Sequence, residues 1–83
     1  MEAKDYSNID AFCRCAGEMV KKERLARRFS QDELSEKADV TQETISNIEN
    51  GHRSGRLETF FKLLDALEIK HSDFFVKVEK ALQ

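Results

Sequence analysis

Proline is absent from the chain, and glycine occurs only three times. The first absence removes the residue that most often breaks a helix, and the second leaves few sites for sharp turns. β-Branched residues form no sustained alternating run, so half-buried strands find no support. No apolar stretch is long enough to span a bilayer, and the opening MEAKDYSNID is too polar for a secretory signal. A cytoplasmic location is therefore expected. Cysteine is limited to Cys13 and Cys15. One residue apart, they make a poor pair for a structural disulfide and fall two ligands short of a structural zinc site. His52 and His71 stand in no recognised metal spacing with them. Neither histidine has a nucleophile or carboxylate constellation in the sequence, and no glycine-rich phosphate loop exists. No enzyme activity, cofactor or metal is expected.

What remains is a chain of 83 residues, 40% hydrophobic and 36% charged, which suits one small all-α domain. A core of that size is modest, and dimerisation is a common remedy. The formal net charge of −2 weighs mildly against a nucleic-acid partner, because phosphate contacts normally come from a basic surface. The charge is uneven, however. Residues 21–28 (KKERLARR) hold five cations and one anion, and His52, Arg53 and Arg56 form a second basic patch.

Residues 1–6 read as a polar tail. Ser7 with Asp10 is a helix-start signal, and Ile9, Phe12, Cys13, Ala16, Met19 and Val20 recur at helical spacing. That pattern continues through Leu25 to about Arg28, as one helix or as two interrupted at Gly17. Ser30 and Glu33 form a capping box, flanked by Phe29 and Leu34 as a hydrophobic staple. Leu34 and Ala38 mark the apolar face of a two-turn helix. Asp39-Val40 interrupts, and Thr41 caps a third helix whose inward face is Ile45 and Ile48. Asn50-Gly51 stops it, because glycine adopts the left-handed conformation at low cost. After a polar loop at 52–56 comes an amphipathic helix, Leu57 to Leu67. A last helix from near Ser72 carries Phe74, Phe75 and Val78.

Two short helices at 30–38 and 41–50, separated by a tight turn, have the helix-turn-helix format, in which the first helix braces and the second enters the major groove. The second helix has the required two faces. Val40, Ile45 and Ile48 dock inward, while Gln42, Glu43, Thr44, Ser46 and Asn47 face out. Glutamine and asparagine can bond bidentately to adenine, and glutamate can accept from cytosine N4. Short hydroxyls reach phosphates instead.

The stretch RLARRFSQDELSEKADVTQETISNIENG, followed by LETFFKLLDALEI, resembles the Cro/lambda-repressor helix-turn-helix family, also called the xenobiotic-response-element type. The resemblance covers Val20 to Phe75. It implies a five-helix lambda-repressor-like fold and a dimer that binds palindromic operators. It assigns Gln42, Glu43 and Asn47 to base reading, with Gln31, Thr41, Thr44, Ser46 and Arg53 towards phosphates. It also pairs Arg24 with Glu49 as a buried ion pair. Asp39 and Arg28 stand where the family often has glycine, and Glu43 brings a negative charge close to the expected DNA. Locally, QETISNIENG with LETFFKLLDALEI is similar to HipB-type antitoxins, which implies a toxin as protein partner.

The expected organisation is an N-terminal extension at 1–15, a DNA-binding domain at 16–76 and a tail of the last helix at 77–83. The leading expectation is a dimeric repressor on double-stranded DNA. The alternative is an antitoxin or adaptor whose main partner is a protein. Candidate dimer surfaces are Phe74, Phe75, Val78 and Leu82, with Ile9 and Phe12.

Overall fold

A computed structural model describes residues 7–52 and 56–83. Five helices follow one another: α1 (Ser7–Ala26), α2 (Gln31–Ala38), α3 (Gln42–Glu49), α4 (Leu57–Ala66) and α5 (His71–Ala81). No strand occurs among the described residues. The architecture is all-α, as the composition and periodicity imply, and has the five helices that the family resemblance implies.

α1 runs unbroken through Gly17, so the segments drawn as extension and domain share one helix. Gly17 is the point where α1 crosses α3. A Cβ built there would collide with the carbonyl oxygen of Ile48 and lie 3.1 Å from its carbonyl carbon. Hydrogen at this position lets two backbones approach within a distance no side chain permits.

The core consists of Ala16 and Val20 from α1, Leu34 and Ala38 from α2, and Ile45 and Ile48 from α3. Leu63, Leu64 and Leu67 join from α4 and its C-cap, with Phe74 and Val78 from α5. Every helix therefore contributes, and each does so from one stripe. Phe12 stacks on Phe75 with centroids 6.1 Å apart and planes 14° from parallel, tying the start of α1 to α5. Phe74 and Val78, candidates for a dimer surface, are core residues of the single chain. Ile9 and Leu82 remain 46% and 43% exposed, which leaves them available to a second copy.

The C-terminal ends of α1, α3 and α4 share one scheme. The N–H of Phe29 bonds to the carbonyl of Arg24, that of Arg28 to Leu25, and the pattern repeats at Glu68–Ile69 and Gly51–His52. These are Schellman closures, which need a left-handed residue just past the helix. Gly51 supplies it with φ 81°, but Arg28 and Glu68 do so with φ 59° each. Asp39 closes α2 with φ 55°.

Candidate nucleic-acid interface

The α2–α3 pair is built by its caps. The Ser30 hydroxyl accepts from the N–H of Glu33 at 3.0 Å, and the N–H of Ser30 donates to Glu33 Oε1 at 2.9 Å. The second bond favours the ionised carboxylate, so Glu33 titrates below its ordinary value, chiefly through the Ser30 N–H and with the nearby Ser30 hydroxyl acting in the same direction. At the other end of α2, Asp39 turns left-handed and the N–H of Val40 bonds back to the Ser35 carbonyl at 3.2 Å. The Ser35 hydroxyl donates to the Val40 carbonyl at 2.6 Å. Val40 packs against the core. Thr41 then caps α3 by accepting from the N–H of Thr44 at 3.1 Å. Three residues, each with its backbone engaged, thus set the angle between the bracing helix and the one that follows.

With about 100° per residue, Gln42, Glu43, Ser46 and Asn47 share an arc of about 140°, while Ile45 and Ile48 sit opposite. Ile45 and Ile48 are buried, Gln42 and Glu43 are exposed, and Ser46 and Asn47 are half-buried. No hydrogen bond engages the side chains of Gln42, Glu43 or Asn47 among the described residues. Thr41 is exposed, and its hydroxyl lies 2.7 Å from that of Thr44. Thr41 is thereby occupied as a cap, and the hydroxyl hydrogen of half-buried Thr44 is left to donate outward.

Behind this face, Arg24 and Glu49 meet across 25 positions of sequence. Arg24 Nε donates to Glu49 Oε2 at 2.7 Å and Nη2 to Oε1 at 2.9 Å, a bidentate pair with both side chains buried. Nη1 donates to the Phe29 carbonyl at 2.8 Å. The bond to Glu49 raises the Arg24 pKa above its ordinary value even though burial acts the other way. Gln31 joins this network: its Nε2 donates to Glu49 Oε1 at 3.1 Å. An amide nitrogen carries two hydrogens, so one N–H at the start of α2 is still free to meet a phosphate. Sequence reasoning missed this third member. The only available signal was a Gln31 amide one turn before Leu34, and that does not identify a partner on another helix. Arg53 lies outside the described residues. Among the described residues no buried side-chain nitrogen or oxygen is left without a partner, and no group of acidic, histidine or cysteine side chains could hold a metal ion.

A bracing helix and an exposed polar helix, joined by a left-handed turn and locked to a third helix by an ion pair, define a helix-turn-helix domain. Residues 20–74, more than half of the chain, match the helix-turn-helix family, and the chain belongs to it. Among curated relatives it is 46% identical over 41 residues to the antitoxin HipB of Escherichia coli K12, covering 49% of this chain and 47% of that protein. The chain thus spans about half the length of the curated relatives it matches. Among solved structures it is similar to the wild-type restriction-modification controller protein C.Esp1396I, with a TM-score of 0.77 and 24% identity over 86% of this chain and 92% of that one. It is also similar to that protein as a tetramer on its natural 35 base-pair operator. There the TM-score is 0.74 and the identity 25%, over 83% of this chain and 91% of that one. At such identities the likeness is chiefly one of fold.

Proposed function

We propose that this chain is a sequence-specific DNA-binding transcriptional regulator, a dimeric repressor that reads a palindromic operator with α3 in the major groove. Gln42, Glu43 and Asn47 read base edges. Gln31, Thr44, Ser46 and Arg53 meet the sugar-phosphate backbone, with Thr41 setting the helix start that faces it. The observation that carries this reading is the division of α3 itself. Its apolar side is fully committed to the core, while its opposite side presents amide and carboxylate groups that no other side chain engages among the described residues. Family membership and the operator-bound state of the C.Esp1396I controller support it. As a homodimer, the protein should protect two half-sites about 34 Å apart, one turn of DNA. Footprinting on bound fragments tests this, and a single unpaired half-site would argue for a monomeric reader.

The similarity to HipB favours a second reading, in which a toxin or comparable protein is the main partner and DNA binding is autoregulatory or lost. Copurification of a stoichiometric protein partner, with no sequence-specific protection of DNA, would select it. The protein is proposed to act in the cytoplasm and to carry no enzymatic activity. No helix among the described residues is long and apolar enough to cross a membrane.

A further inference from the structure

The family match begins at residue 20, yet α1 starts at Ser7. The turns ahead of the match come close to the far end of α3. Because Gly17 lets α1 lie directly on Ile48, Arg14, three residues earlier, falls over the turn that ends α3. A Cβ on Gly51 would sit 3.0 Å from Arg14 Cγ and 3.2 Å from its Cα. The stem of Arg14 is thus seated on the Gly51 turn while the residue as a whole stays exposed. Among the described residues its guanidinium has no hydrogen bond or ion pair. Glu18, one turn along α1, borders the same hollow with Glu49 and Asn50 without pairing to it. Exposed His52 and Arg56 belong to the connection that follows Gly51.

We infer that Arg14 is a further phosphate-binding residue, through which α1 grips the DNA backbone beside the turn after α3. The inference rests on the DNA-binding reading above. A seated stem loses little further freedom when the head group binds, and a planar guanidinium fits phosphate oxygens with paired hydrogen bonds. A chain with net charge −2 must also concentrate its cations where the polyanion lies, and Arg14 adds a positive head beside the Gly51 turn. The contact carries no sequence information, so it tightens binding to all duplexes alike.

The test measures binding of the full chain to a mixed-sequence duplex from about 50 to 200 mM salt. Arg14→Gln keeps the stem and removes the charge, and circular dichroism checks that the fold persists. The log–log salt slope should become shallower by about 0.9 per bound protomer, so that the parent loses about threefold more affinity per protomer than the variant across this range. Arg14→Lys should keep the parent's slope, as should Lys77→Gln on α5. An Arg14→Gln slope equal to the parent's, or an equal fall in Lys77→Gln, overturns the contact while leaving the DNA reading intact. A parent that binds no duplex at any salt defeats the DNA reading, and the inference falls with it.

Discussion

Arg28 and Glu68 hold left-handed backbone that glycine would adopt without penalty. A non-glycine residue there costs about 1–2 kcal/mol, against roughly 0.5–1 kcal/mol for the extra unfolded-state freedom of glycine. Glu68→Gly, remote from the proposed interface, should therefore stabilise the protein by about 0.5–1 kcal/mol. In a domain this small that raises the thermal midpoint by several degrees, about 4–8 °C per kcal/mol. A lower midpoint would show that the Glu68 side chain contributes more than its backbone costs. The opposite sign is expected at Glu49. Glu49→Gln leaves the Arg24 charge buried without its counterion, and urea unfolding should show a loss of about 3–5 kcal/mol. An exposed pair would lose less than about 1 kcal/mol, so a small effect would contradict the burial seen here. The Arg24–Glu49 pair was legible only through the family resemblance. No periodicity links two residues 25 positions apart, and the Gln31 bond was not legible at all, since it depends on where two helices meet.

Among the elements, capping chemistry and apolar spacing were enough to place α2 to α5 to within a residue or two, while α1 was left open as one helix or two. The start of α2 was plain in Ser30 and Glu33, and the turn at Asp39 was plain in the broken pattern. Gly17 was the ambiguous position. Local propensity marks it as a weak point in a helix, whereas its reason is a helix crossing that only the tertiary arrangement reveals. Gly17→Ala should gain about 1 kcal/mol of helix propensity yet lose more, because overpacking against a backbone carbonyl costs about 1–3 kcal/mol and forces α1 from α3. A more stable Gly17→Ala variant would mean that the crossing is looser than described. The capping box makes a pH prediction. Glu33 has a folded pKa below its ordinary value of 4.5. Its contribution is therefore complete above that value and disappears as pH falls through the depressed one. Glu33→Gln should flatten the acid limb of the thermal midpoint below pH 4.5, with the pH dependence near neutrality unchanged. An unchanged acid limb would assign the acid sensitivity to other carboxylates.

The whole molecule carries a mild excess of negative charge, so its proposed use as a DNA reader depends on placement rather than total. Gln31 at the start of α2 bonds to Glu49 at the end of α3, Arg14 lies over the turn at Gly51, and the apolar stripes of all five helices face a shared core. The fold was legible because helical spacing and caps agree along the chain. The outward polar face of α3 was legible as a list of residue types, whereas the bases proposed to meet it depend on a duplex and a second copy that lie outside one chain's sequence. The repressor proposal requires that the exposed side chains of α3 recognise base edges. Selection of bound duplexes from a random pool, run in parallel for the parent and for Gln42→Ala, tests it most directly. The parent should enrich a symmetric site, and Gln42→Ala should lose preference at one position of each half-site at a cost of about 1–3 kcal/mol, with the other positions retained. Identical enriched sites for both proteins, or no enriched site for the parent, would contradict it.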